Sequence, residues 1–379
     1  MHDETGPMTT TETPFPRADL ATPALVIELP ALDANIAAMA EWARGKGIAL
    51  RPHAKTHKSA DIARRQLAAG ARGICCAKLG EAEALAAAGI RDILVTSPVV
   101  PGQALARLAR LAPAMDRLAV VADHSAHVDA LAAALERAEA AAPLDLLVDV
   151  DTGAHRTGVT SPGAAVALAH RIGAHPKLRY RGVQFYCGTL QHIRSAAERR
   201  AALAARAEDL RAVLAALEAA GLPAETVTGG GTGSFVIDAD IGLLNELQPG
   251  SYIFMDREYR DCEAAGPVFR QSLFIDTRVV SANTPGRVTI DAGLKAMATE
   301  AGPPVVADGA DPRSQYRFMG DEHGMLLTPD GAHDPALDAP IALVPPHCDP
   351  TVNLYDHYAV THSGTVTTLW PITARGRSS

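Results

Sequence analysis

The sequence predicts an α/β protein: a (β/α)8 TIM-type barrel with a second, smaller β-rich domain. Two observations carry this. From about residue 24 to 255, short β-type runs precede longer Ala-rich helical runs with some regularity. After Met255 the helical runs stop, and short strands separated by turn residues take over. The length agrees, because 379 residues exceed the ~250–300 that one hydrophobic core usually supports.

The β-type runs fall at 24–28, 48–53, 73–77, 92–96, 117–122, 144–150, 180–186, 224–228 and 252–255. Setting the first aside leaves eight, the strand number of a barrel; an open doubly wound sheet is the alternative. Between the runs, 30–44 spaces Leu32, Ile36, Met39 and Trp42 by three or four residues, as one buried helix face requires. The stretch 195–220 has a helical Ala/Leu/Arg/Glu composition, and Gly70, Gly89 and Gly221 stand where helix C-caps would. Beyond 255, strand-like runs occupy 272–280, 287–291, 341–345, 358–360 and 365–370, with turns at 283–286 and 329–331. The expected organisation is a barrel over 24–258, a β-rich domain over 259–379 and an N-terminal tail over 1–20.

Composition narrows the function. The net charge is 35 − 43 = −8, which argues against nucleic-acid and anionic-membrane partners. No run of about 18 apolar residues is present, so no transmembrane helix is expected. Residues 1–17 lack the basic and apolar regions of a signal peptide. The five cysteines, Cys75, Cys76, Cys187, Cys262 and Cys348, are odd in number and form no CxxC pair, which reads as a reduced, cytoplasmic protein. Only six lysines exist, so chemistry that needs an amine has few candidates.

In a barrel, function sits at the C-terminal ends of the strands. Five features fall at such positions or in the β-rich part. RPHAKTHK at 51–58 crowds two lysines and two histidines after a strand. It is either a solvated basic loop or the site of a lysine that forms an imine with an aldehyde cofactor, its pKa lowered by neighbouring cations; Lys55 is nearer the strand end than Lys58. Arg156 follows a strand through a Gly-bearing turn, as a loop-holding cation or a planar donor to a phenolate or carboxylate. Tyr186 ends a strand and His192 lies on the loop after it, one more titratable group at the same mouth. TGGGTGS at 228–234 offers backbone N–H groups to an anion, or is a flexible turn. In HCDPTVN at 347–353, an extended chain would turn His347 and Asp349 to one side and Cys348 away. That pair could bind one Mn²⁺, Mg²⁺, Co²⁺ or Zn²⁺, although a His-x-Asp pair alone is also an ordinary structural feature.

Together these features resemble the pyridoxal-phosphate enzymes of the alanine racemase type, and within them the D-threonine aldolase and D-serine dehydratase group. The matches are RPHAKTHK at 51–58, GICCAK at 73–78, GGGTGS at 229–234, LQPGSYIFMD at 247–256, DAGLK at 291–295, DEHG at 321–324 and HCDPTVNLYD at 347–356. The resemblance implies pyridoxal 5'-phosphate carried by Lys55, with Arg156 facing its phenolate and Tyr186 lining its ring. It implies Thr228, Gly230, Gly231, Thr232 and Tyr252 around the phosphate, His347 and Asp349 on a divalent metal, manganese first, and His192 as base on the substrate hydroxyl. It implies a homodimer, and places strand 24–28 with the β-rich domain. The family often has Gln where this chain has Ala77, and Asn-Glu where it has Ser97-Pro98; both positions bear on substrate preference.

The resemblance leaves a choice of reaction on a small D-amino acid. Dehydratases of the group resemble a His-x-Cys pattern suited to Zn²⁺, whereas this chain has the aldolase-like His-x-Asp. The expectation is a carbon–carbon lyase that cleaves a D-3-hydroxy-amino acid, of the D-threonine or D-phenylserine type, to glycine and an aldehyde. The alternatives are a 3-hydroxy-D-aspartate aldolase, a D-serine or 3-hydroxyaspartate dehydratase and, last, a non-catalytic carrier of the cofactor.

Overall fold

The computed structural model describes residues 13–379. Eight parallel strands close into a barrel: Ala49–Leu50, Ile74–Cys76, Asp92–Val95, Arg117–Ala122, Leu144–Asp149, Leu178–Phe185, Thr226–Gly229 and Glu246–Leu247. Glu246 pairs with Ala49 on one side of the first strand, and a single bridge from His53 to Cys75 closes the other. The ladder beside the first strand is this sparse because Pro52 has no N–H to give; its carbonyl still accepts from Cys75.

The first and last barrel strands differ from expectation. The run 48–53 is regular only over Ala49–Leu50. The apolar run 252–255 is no strand: Ser251–Ile253 is a 3-10 turn, and the eighth strand is the two-residue Glu246–Leu247. Tyr252, Ile253 and Phe254 are apolar because they are buried beneath the helix Leu29–Lys46, where the Asn35 amide donates to the Ile253 carbonyl at 3.0 Å. That helix buries Leu32, Ile36 and Met39, and its Trp42 packs edge-on to Phe235 at 4.7 Å. Gly70, Gly89 and Gly221 all take positive φ just beyond helices, where a side chain would be strained.

The second sheet is largely antiparallel. Ala24–Glu28 lies in it, parallel to His357–His362 and antiparallel to Leu273–Thr284. Arg287–Ile290, Gly324–Leu327 and Gln315–Phe318 extend it on one side, and Thr365–Pro371 and Phe15–Pro16 on the other. Pro340–Val344 pairs with Leu273–Thr284 and with Val305–Asp308. Val305–Asp308, Gln315–Phe318 and Gly324–Leu327, four residues each, have no counterpart in the sequence reading. Of the stretch expected as a tail, residues 1–12 lie outside the described residues. The remainder is structured: Phe15 and Pro16 pair with Val366 and Thr365, and Arg17 is clamped by Asp276 at 2.7 Å and Glu28 at 2.8 Å.

At the N-terminal end of the barrel, Arg51 fills the lumen, bonded to Glu246 at 3.0 Å and Asp92 at 2.5 Å. Arg51 and Glu246 are almost fully buried, so neither charge can turn to water. Arg51→Ala is expected to destabilise the fold by about 3 kcal/mol, because it leaves the buried Glu246 carboxylate with only the half-exposed Arg72, 3.8 Å away; urea unfolding measures this, and a loss under about 1 kcal/mol would mean that water already solvates the cluster.

Candidate active site

The opposite end of the barrel opens into a cavity of about 450 Å³, a size suited to a small cofactor with its substrate. Lys55, Arg156, Tyr186, His192, Gly231, Thr232, His347 and Asp349 all line it. Elements far apart in sequence therefore meet here: the loop after Leu50, the turn after Leu144–Asp149, the loop after Leu178–Phe185, the glycine run after Thr226–Gly229, and the start of the short helix Cys348–Val352.

Two lysines lie on the first loop, and their surroundings differ. Lys58 is buried, takes a left-handed φ of 50° and is bonded to Glu81 at 2.5 Å. Its carbonyl accepts from Ala374, and the His57 carbonyl accepts from the Tyr358 hydroxyl at 2.7 Å, so the loop is fastened to the second sheet. Lys55 instead reaches into the cavity, with Nζ 3.6 Å from Asp349 Oδ2 and 5.8 Å from the Tyr186 ring centroid. The cations expected to lower its pKa do not prevail. Burial lowers it, but Tyr186 and Asp349 face the ammonium and the net shift is upward. Burial also holds His53 well below the usual histidine range, so it adds little positive charge beside Lys55.

Arg156 stands on the same ring, its guanidinium carbon 5.9 Å from the Tyr186 centroid. Tyr186 is thus flanked by two cations, which marks a place where an anionic planar group is favoured. Beside it the chain leaves room by lacking side chains. A Cβ at Gly231 would lie 2.5 Å from Gln191 Oε1 and 3.2 Å from Tyr186, and one at Gly250 would strike Thr56 Oγ1.

The glycine run differs from a simple cup of free N–H groups. Gly231 N–H is bonded to Ser234 Oγ at 3.0 Å and Gly233 N–H to Gln191 Oε1 at 3.0 Å. Three expected phosphate residues stand behind the cavity wall. Thr228 Oγ1 accepts from Gln248 at 3.0 Å, and Gly230 backs onto Asp238 and Leu247. The Tyr252 hydroxyl accepts from Gln66 at 3.1 Å and its ring packs on Phe269 at 5.4 Å. Tyr252 touches the cup only through its backbone N–H, which donates to Thr232 Oγ1 at 3.0 Å. Gln248, Gly250 and Ser251 line the cavity and had no role in the sequence reading, although the motif at 247–256 contains them. Tyr259 lines it too and carried no sequence signal; its ring stacks on His192 at 4.5 Å, tilted 54°.

Opposite Lys55, His347 and Asp349 share a wall, but the chain between them is not extended. His347 caps the helix Cys348–Val352, and Cys348 does not turn away: its buried thiol donates to Asp349 Oδ1 at 3.4 Å. Asp349 also accepts from Ser251 at 3.4 Å. Burial raises its pKa, yet Lys55 and His347 bring the net below the usual carboxylate value, so it stays ionised. His192 has its Nε2 buried without a partner. Burial lowers its pKa and the opposing charge of Glu258 does not restore it, which leaves the ring a neutral base.

The alanine racemase N-terminal domain model matches residues 27–258, and a serine dehydratase domain model matches 272–361. The chain belongs to the alanine racemase-type family that unites D-threonine aldolases and D-serine dehydratases. Its relatives in the family include a D-threonine aldolase of Arthrobacter sp., 42% identical over 364 residues, which is 96% of this chain and 95% of that one. A 3-hydroxy-D-aspartate aldolase of Paracoccus denitrificans is 40% identical over 95% of this chain and 93% of its own. The crystal structure of D-threonine aldolase from Filomicrobium marinum superposes with a TM-score of 0.92 at 39% identity, covering 97% of this chain and 99% of that one.

Two outcomes are expected. With pyridoxal phosphate added, Lys55→Ala should lose the visible absorbance of the bound cofactor and Lys58→Met should keep it; the reverse would exchange their roles. The second concerns pH. His57 is buried, its Nδ1 accepting from Ser59 at 3.1 Å, and burial holds its pKa at about 4 against an ordinary 6.5. Below 6.5 the unfolded chain takes up a proton that the folded one refuses. Stability should therefore fall from pH 6.5 towards 4, by about 3 kcal/mol from this group. His57→Asn, which keeps an acceptor for Ser59, should flatten that part of the curve in urea unfolding; an unchanged slope would clear His57.

Proposed function

We propose that this protein is a carbon–carbon lyase that cleaves a neutral D-3-hydroxy-amino acid, of the D-threonine or D-phenylserine type, to glycine and an aldehyde. The observation that carries the reading is the pair Lys55 and Asp349, 3.6 Å apart across the cavity. It sets a lone amine, suited to an aldehyde cofactor, against a hard oxygen ligand suited to a substrate hydroxyl. The family supports pyridoxal phosphate, and the cavity fits it: an amine at one side, two cations about one ring, and a wall of glycines where a Cβ would clash. A nitrogen and a carboxylate on one wall are a donor set for Mn²⁺, with Mg²⁺, Co²⁺ and Zn²⁺ as alternatives.

The cofactor, when bound, supplies a sink for the electron pair of the broken bond, and the metal supplies Lewis acidity at the hydroxyl. Lys55 would hold the cofactor, with Arg156 as a donor to its phenolate and Tyr186 against its ring. Gly231, Thr232 and Ser251 would surround the phosphate, with Thr228, Gly230 and the Tyr252 backbone shaping the cup from behind. His347 and Asp349 would hold the metal. His192, which lines the cavity and is kept neutral by burial, takes the hydroxyl proton as Cα–Cβ breaks and the aldehyde leaves. Cα gains a proton that balances the one His192 takes from the hydroxyl, and glycine leaves.

Asp349 at the second metal position, with Cys348 buried beneath it, supports cleavage over dehydration. A substrate with a β-carboxylate, as in 3-hydroxy-D-aspartate, would need a further cation. Among the described residues Lys55 and Arg156 are the only lysine or arginine lining the cavity, and both flank Tyr186. The proposal extends to a homodimer in a reducing, cytoplasmic setting, in keeping with five unpaired cysteines. No helix among the described residues is long and apolar enough to cross a membrane.

Product analysis tests the reading. Purified protein with Mn²⁺ and D-threonine is expected to yield glycine and acetaldehyde, to fall silent with EDTA, and to lose turnover in Asp349→Ala. A 2-oxo acid and ammonia would make it a dehydratase. Cofactor binding without turnover, indifferent to divalent cations, would make it a carrier.

A further inference from the structure

His347 offers two ring nitrogens, and which one faces a metal depends on what the other does. Nδ1 lies 2.7 Å from Glu300 Oε1, a hydrogen-bonding distance, and 3.7 Å from Glu258 Oε2. Glu300 is 47 positions from His347 and half exposed, so an idle surface pair is the ordinary expectation. The loop that carries it is not idle. Ala298 N–H donates to Thr351 Oγ1 at 3.1 Å, and Thr351 donates in turn to the His347 carbonyl at 2.7 Å. On its other side, the Arg257 guanidinium donates to the Ala301 and Pro303 carbonyls, both at 2.6 Å. Glu300 is thus delivered by a loop fastened to the histidine's own helix and to the residue preceding Glu258. Such fastening offsets the side-chain entropy that weakens surface pairs.

We propose that Glu300 is a positioning residue: it accepts the Nδ1 proton of His347, fixes the ring and its tautomer, and leaves the Nε2 lone pair as the metal ligand. A carboxylate behind a ligating imidazole orients the ring and strengthens its donation, and its removal commonly lowers metal affinity 10–100-fold. The inference rests on the reading of His347 as a ligand. Glu258 is the competitor for the same proton, but it stands 1 Å farther off, at 3.7 Å against 2.7 Å.

The test titrates Mn²⁺ into the pyridoxal-phosphate-loaded protein and follows free Mn²⁺ by electron paramagnetic resonance, for wild type, Glu300→Ala, Glu258→Ala and His347→Ala. Glu300→Ala is expected to raise the Mn²⁺ dissociation constant roughly 10–100-fold, with cofactor absorbance and melting temperature unchanged. A merely structural role would move the melting temperature and spare the affinity. Wild-type affinity in Glu300→Ala, together with loss in His347→Ala, would overturn the proposal and leave the metal reading standing. A larger loss in Glu258→Ala than in Glu300→Ala would also overturn it, giving the role to Glu258. If His347→Ala binds Mn²⁺ as wild type does, the metal reading fails, and this inference with it.

Discussion

The buried ion pair of Lys58 with Glu81 governs where Lys55 can be. A lysine with little access to water needs a partner, and Glu81 supplies it at 2.5 Å while accepting the N–H groups of Ala77 and Lys78 at the head of the helix Leu79–Ala87. Lys58 makes this pair from a left-handed turn, at a φ of 50°. The preceding residues His57 and Thr56 are drawn into the interior with it. Of the loop's two lysines only Lys55 reaches the cavity, beside His53 and Thr56. The amine nearer the strand is thus available because the other is committed to holding the loop.

The same division of labour recurs on the opposite wall. Asp256 holds the helix at 348–352 in place, accepting the Cys348 N–H at 2.8 Å and the Tyr259 N–H at 3.1 Å. One buried carboxylate therefore sets both the wall that bears Asp349 and the ring that stacks on His192. The residues that reach the cavity come from the barrel and from the second sheet, and the backbone ties between the two set their spacing.

Legibility in the sequence followed range. Lys55, Arg156, Tyr186 and the glycine run could be found because each sits just after a barrel strand, where local periodicity and barrel geometry agree. Tyr252 misled for a local reason: Tyr-Ile-Phe-Met reads as a strand, whereas its burial comes from a helix more than two hundred residues earlier in the chain. Glu246–Leu247 left no trace, since two residues have no period. Cys348 was expected to face away because one helical turn cannot be told from an extended step in three residues. Tyr259 and Glu300 act through partners brought together by tertiary packing, which no single-sequence pattern encodes.

The strand Ala24–Glu28 is made early and completed late. Its partner His357–His362 lies over three hundred residues on, and Thr361 bonds the Ile27 carbonyl across 334 positions. During synthesis the whole barrel emerges before that edge is covered. The loop bearing Lys55 waits equally long, for Tyr358 and Ala374 to reach it. The two ends of the chain are therefore joined last, and the loop bearing Lys55 gains its ties to Tyr358 and Ala374 only once the final strands have emerged.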